Sequence, residues 1–235
     1  MVLADCERLV RRMVGAVEIA GIGLGVPELV SLDGAITSAA LWDWRDGGWQ
    51  SALGQIAPVV AISDVRAAAV AEARFGAGLG RGSFLYVSIG TGISHALVID
   101  GVVWEGARGN AVVMGAPPIE NQASGAALQA QSGIARVEAL LESEEFSQLV
   151  ETAAHALGIE LARMVNALDP AALVIGGGLG LSEEYRTKVV GYMRPEIYAD
   201  STRAIEVIPA ALGKDAGIIG AALATLPERG WARHR

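Results

Sequence analysis

The chain has 235 residues, 52% of them hydrophobic, and its 26 acidic against 18 basic side chains give a net charge of −8. That is apolar material for one large domain or two small lobes, while the acidic balance excludes nucleic acid as an expected partner, since phosphate neutralisation takes clustered Lys and Arg. A single cysteine, Cys6, leaves no disulfide framework and no thiolate zinc site, which points to the reducing cytoplasm.

The elements follow in chain order. Residues 3–14 mix Asp5, Glu7, Arg8, Arg11 and Arg12 with apolar residues, the pattern of an amphipathic helix and not of a signal peptide. Residues 17–26 read as a buried strand broken by glycines, and 29–36, with Asp33-Gly34 inside, as a hairpin. Trp42, Trp44 and Trp49 fall in a surface loop, where packing under the loop is favoured over a ligand platform. Residues 58–63 are a strand, and 65–75 an Ala-rich helix stopping at Gly76. Residues 84–89 and 93–99 form a hairpin around Gly90-Thr91-Gly92, with Asp100-Gly101 turning into 102–104. The uncharged run 82–99 is too punctuated by Gly, Thr, Ser and His to span a membrane. A loop covers 106–118, and Ser124-Gly125 opens a helix through Gln131. Residues 146–168 form a long helix closed by Asp169-Pro170. A buried strand (172–175), a helix (182–193), a short strand (205–209) and a last helix (216–226) complete an α/β alternation.

Asp64 is the residue with the most chemical promise. At the end of a strand it could cap the following helix, or it could serve as a general base where α/β proteins place ligands. Taken alone, capping is the simpler reading. The motifs downstream reverse that balance. Gly90-Thr91-Gly92 suits close approach of a phosphate, with Thr91 adding a hydroxyl donor. Gly176-Gly177-Gly178 follows a strand directly, but Glu183 and Glu184 in the next helix would repel an anion. That turn therefore suits the uncharged adenosine part of a nucleotide, against the alternative of a tight strand-to-helix connection. Glu120 precedes a helix start and either caps it or accepts ligand hydroxyls. The small residues Ala216, Gly217, Gly220, Ala221 and Ala224 allow close packing of the last helix. His95, His155 and His234 have no metal-site spacing.

Taken together and in order, Gly23-Leu-Gly-Val-Pro27, Ser63-Asp64, Tyr86-Val-Ser-Ile-Gly-Thr-Gly-Ile93, Asp100-Gly101, Gly106-Ala-Arg-Gly109, Glu120-Asn-Gln-Ala-Ser-Gly125, Val174-Ile-Gly-Gly-Gly178 and Leu212-Gly-Lys-Asp-Ala-Gly217 resemble the ROK family of sugar kinases and sugar-responsive regulators. The resemblance implies an actin-like (ribonuclease H-like) two-lobed α/β fold. Residues 1–65 would form a small lobe truncated at its N-terminus and completed by a C-terminal helix at 214–235, with 66–213 as the large lobe. It implies ATP with its Mg2+, a sugar or polyol in the cleft between lobes, and a homodimer. Asp64 matches the family's catalytic base, Glu120 a sugar-hydroxyl ligand, Gly90 to Gly92 a phosphate motif and Gly176 to Gly178 the adenosine turn.

The departures are specific. Ser63 stands where the family usually has a sugar-binding Asn, and Arg66 where a second Asn is common. Asn110 takes the place of a sugar-contacting Glu, and Val113 that of a sugar- and zinc-binding His. The Cys-rich loop is missing between Met114 and Glu120, so no zinc is expected. The first phosphate motif, with its Asp-x-Gly-Gly-Thr pattern, is also missing ahead of the first helix. Three expectations follow: a hexose or cyclitol kinase, a non-catalytic sugar sensor or pseudokinase, and a start codon lying upstream of Met1.

Overall fold

The computed structural model describes residues 2–114 and 119–226. In chain order the elements are α1 (Val2–Val14), β1 (Ile22–Val26), α2 (Gly48–Leu53), β2 (Val59–Ser63), α3 (Asp64–Phe75), β3 (Ser83–Ile89), β4 (Ile93–Ile99), β5 (Val102–Val103), α4 (Glu120–Ala123), α5 (Gly125–Ser132), α6 (Val137–Leu141), α7 (Ser147–Leu168), β6 (Ala172–Gly176), α8 (Glu183–Met193), α9 (Asp200–Arg203), β7 (Glu206–Pro209) and α10 (Ala216–Leu223).

Two sheets form. β1 and β2 pair in parallel, from Ile22 opposite Val59 to Val26 opposite Ser63. The second sheet has the order β5-β4-β3-β6-β7, antiparallel on the β4 side of β3 and parallel on the β6 side. Its side chains alternate between two cores, as the twofold period of a strand requires. Leu85, Val87, Ile89, Leu173 and Ile175 pack against α7 and α8. Phe84, Tyr86, Ala96, Val98 and Val174 pack against α3. β6 is buried on both faces, which is why its sequence is a continuous apolar run.

The helix α3 joins the two sheets. Val65, Ala68 and Ala69 enter the core under the five-stranded sheet, while Ala67 packs with Ile62, Ala221 and Ala224 under the two-stranded one. The expected close packing of the last helix is present here. A Cβ on Gly220 would lie 1.7 Å from the Ala67 carbonyl oxygen, and one on Gly23 1.8 Å from that of Ala221. At the far end of α3, fully buried Glu72 accepts N–H groups from Ala77, Ala211 and Leu212, tying the helix to the segment that leads into α10.

Several element boundaries differ from the sequence reading. The first strand begins at Ile22, not at residue 17, because its partner strand begins at Val59, where the Pro58 carbonyl accepts the Ile22 N–H. The 29–36 hairpin shrinks to a single bridge, Val30 with Ile36, closed by Gly34 at φ 87°. Trp49 is not in a loop: it is buried in α2, whereas Trp42 and Trp44 stack on each other at the surface, 5.3 Å apart. The last helix ends at Leu223, and residues 227–235 of the expected terminal helix lie outside the described residues. No helix among the described residues is long and apolar enough to cross a membrane.

Gly220→Ala places a methyl against backbone that cannot retreat without parting α10 from α3. The expected loss is about 1–3 kcal/mol, read as a lower urea midpoint at unchanged slope.

Candidate active site

Two cavities meet at one turn. The larger, about 1160 Å3, lies between the sheets and is lined by Pro27–Leu29, Ser38, Ala40 and Leu41 on one wall, Val112 and Val113 on the other, with Ser63, Asp64, Ser88, Ser94 and Glu120 between. The smaller, about 450 Å3, is lined by Gln129, Val137, Leu141, Glu142, Gly178, Ser182 and Glu184. Gly90 and Thr91 line both. The turn is rigid because α5 begins against it: the N–H of Gly125 donates to the Gly90 carbonyl at 2.7 Å, and that of Ala126 to the Thr91 carbonyl at 3.2 Å. A Cβ on Gly125 would meet the Gly90 oxygen at 2.8 Å, so the approach depends on glycine.

Asp64 does not hold the N-cap position of α3, but its carboxylate does accept a first-turn N–H, as the capping alternative expected. Ser63 holds the cap position, without a side-chain cap bond, and Asp64 is the first helical residue, its Oδ1 accepting the Val65 N–H at 2.7 Å. It is exposed to the cleft, yet protein surrounds the carboxyl on its other sides. That desolvation raises its pKa above the ordinary value of 3.8, and backbone N–H groups at the helix start only partly offset it. A carboxylate reachable by ligand and made more basic than usual can accept a hydroxyl proton. The Ser63 hydroxyl is 2% exposed, faces the same cleft and has no hydrogen-bond partner.

Glu120 opens α4, and its Oε1 accepts the Ile93 N–H at 2.9 Å. It therefore braces the strand leaving the glycine turn while lining the cleft. Gly92 is required for this, since a Cβ there would lie 2.4 Å from that oxygen. Asn110 is exposed and is not part of the cleft lining. The reason is local: the Gly109 backbone, at φ 83°, packs against Val30 and Ser31, so the chain re-enters the cleft only at Val112. Of the three glycines at the end of β6 and just beyond it, Gly178 alone lines the smaller cavity. Gly176 and Gly177 instead allow close backbone packing, where a Cβ would strike the Tyr86 hydroxyl or the Ile89 carbonyl.

Sequence reasoning missed Glu28. This carboxylate is 5% exposed and accepts the Ser38 hydroxyl and the N–H groups of Ala40, Leu41 and Trp42, shaping one cleft wall. Burial pushes its pKa up, but these four donors outweigh that and leave it below 4.5. Among the described lining residues of both cavities there is no Lys, Arg or His. No group of three or more potential metal-ligating side chains occurs among the described residues, and residues 115–118, where the Cys-rich loop was expected to be missing, lie outside them.

A cleft between two sheet-bearing units, floored by a strand-end aspartate and divided by a glycine turn, is the architecture of actin-like two-lobed α/β proteins. The chain belongs to the ROK family, whose profile matches residues 3–227. It is 29% identical to a glucokinase of Halalkalibacterium halodurans, over 86% of this chain and 75% of the relative. It is 30% identical to an N-acetylmannosamine kinase of Haemophilus influenzae, over 70% of this chain and 62% of the relative. Among solved structures, a ROK hexokinase from Thermus thermophilus matches at 30% identity and TM-score 0.73, over 94% of this chain and 83% of the other. A ROK glucokinase from Streptomyces griseus, solved with glucose and AMPPNP, shares the fold at 23% identity and TM-score 0.79, over 95% and 86%. These relatives are carbohydrate kinases, the expected enzyme class.

Glu28→Gln presents an amide N–H2 to N–H donors and should cost about 1–3 kcal/mol. Because the folded pKa is depressed, the carboxylate's contribution is present above 4.5 and lost as pH falls through the folded value. The stability gap between wild type and variant, measured by denaturant titration, should narrow across that acid range.

Proposed function

We propose that the protein transfers the γ-phosphoryl of magnesium-ATP to a hydroxyl of a hexose or sugar-like cyclitol, with Asp64 as general base. The observation that carries this reading is that Gly90 and Thr91 belong to both cavities. An acceptor on the Asp64 side and a nucleotide on the Gly178 side would then meet at that turn. The Asp64 carboxylate takes the acceptor proton as the new P–O bond forms, and the bond to the bridging oxygen breaks to release ADP. Ser63 and Glu120 orient the acceptor: one offers an unpaired hydroxyl, the other the carboxylate oxygen not engaged by Ile93. The Thr91 hydroxyl and the Gly90–Gly92 backbone lie against the phosphates.

The acidic character of both cavities supports a division of labour. Glu142 and Glu184 suit ribose hydroxyls and not phosphates on the far side. With no cationic side chain among the described lining residues, the phosphate charge has to be matched by the magnesium that arrives with the nucleotide, since phosphoryl transfer depends on such neutralisation. The proposed lobes are 1–65 with the C-terminal helix, and 66–213. Their junction falls at the start of α3, the element shared by both cores.

Asp64→Asn should lower kcat by about 10²–10⁴-fold with sugar affinity largely kept, as read by a coupled ADP assay and by calorimetry with glucose. Undiminished turnover in the variant would remove Asp64 from the mechanism. Sugar binding without any nucleotide binding in the wild type would favour a sensor over a kinase. Since the folded pKa of Asp64 is raised, its ionisation costs stability as pH rises through that value. The same variant should therefore melt at or above the wild-type temperature at pH 7–8, the difference fading in acid.

A further inference from the structure

Arg66 lies in the first turn of α3, two residues beyond Asp64, and is 1% exposed. Its Nη1 donates to the Val30 carbonyl at 3.2 Å and to Glu105 Oε1 at 3.4 Å, and its Nη2 donates to the Gly109 carbonyl. These acceptors come from opposite sides of the cleft. Val30 packs with Val26, Ile36, Trp49 and Ala61 in the core of the two-stranded unit. Glu105 and Gly109 follow β5, at the edge of the five-stranded sheet. The two segments also touch directly, since a Cβ on Gly109 would come within 2.4 Å of the Val30 carbonyl oxygen. Upstream of Val30 runs the Pro27–Leu29 wall, and downstream of Gly109 come Val112 and Val113 of the facing wall.

We infer that Arg66 is a positioning residue that braces the two walls of the larger cavity at a fixed separation, so that the acceptor side of the cleft is set before either substrate arrives. The chemistry favours arginine specifically. A planar guanidinium can serve acceptors on two separate segments at once and hold their relative orientation, which the single ammonium of lysine on a flexible stem cannot do. Bonds from a charged donor to carbonyl oxygens are stronger than neutral ones, and burial shields them from competing water. Because Arg66 sits on the same helical turn as Asp64, the brace also fixes the base relative to both walls. Its kinetic consequence rests on the reading of this cavity as the sugar site; its geometric consequence does not.

Two readouts separate these consequences. Spin labels at Leu41→Cys and Val113→Cys, in a Cys6→Ser background, report wall separation without any ligand. Wild type should give one narrow distance distribution, Arg66→Met a broadened or longer one, and Arg66→Lys an intermediate. Gly109→Ala, which pries the same contact apart with Arg66 intact, should broaden it as well and serves if Arg66→Met does not fold. Without labels, Arg66→Met should raise the KM for glucose about tenfold or more, with kcat within about threefold and the KM for ATP unchanged, and Arg66→Lys should partly restore it. A distribution as narrow in the folded variants as in wild type would overturn the inference. So would sugar and nucleotide constants that drift together. Should the walls spread in the variants while neither protein binds glucose by calorimetry, the brace stands and the sugar assignment of the cavity is what fails.

Discussion

The burial of α3 is the constraint on which the rest of the molecule depends. A helix wedged between two sheets and under α10 has almost no solvent-facing side over Val65–Glu72. Small residues solve the steric part: Ala67, Ala68, Ala69 and Ala71 fill the buried stretch of the helix, and Gly220 lets α10 come into backbone contact with it. The polar part is met at the two ends, apart from the Arg66 Nε–H, which is buried without a partner. Arg66 finds carbonyl oxygens on two flanking segments, and Glu72 finds three backbone N–H groups. An unmet charge in either place would be costly, so the segments around α3 are held in register by the needs of a single helix.

That arrangement fixes what the start of the helix can do. Asp64 is placed where β2 ends and α3 begins, so its carboxyl is supported by helix-start N–H groups on one side and opens to the cleft on the other. The protein around it raises its pKa, which costs stability and increases basicity together. Ser63 holds the N-cap position without a side-chain bond, so the Asp64 carboxylate is the side chain that meets a helix-start N–H while it also lines the cleft. Tension between local stability and placement is common at functional sites.

The glycine turn works through a different economy of groups. The N–H donors at the start of α5 are spent on the Gly90 and Thr91 carbonyls, and the Gly90 N–H on the Gly92 carbonyl, so the turn is stiff where it lines both cavities. Stiffness at the partition between two cavities defines where their contents can meet. Glu120 reinforces this from the β4 side through Ile93.

Much of this was legible in the amino-acid order. The strand-to-helix passages at Ser63-Asp64 and Gly176–Gly178, the β3–β4 hairpin, and the small-residue face of α10 follow from local periodicity, propensity and side-chain size. Those properties act over a few residues and survive in any context. The roles of Glu28, Glu72 and Arg66 were not legible, because apart from Ala77 beside Glu72 their partners lie 10 to 140 positions away and only folding brings them close. Asn110 illustrates the same limit: the family resemblance put it at a sugar-contacting position, but beside the packing of Gly109 against Val30 it is exposed and outside the cleft lining. The sequence by itself determined which elements form and which residue types could do chemistry. The tertiary structure alone decided which of those residues share a cavity, because burial and long-range pairing set both the direction of a side chain and its remaining hydrogen-bond capacity.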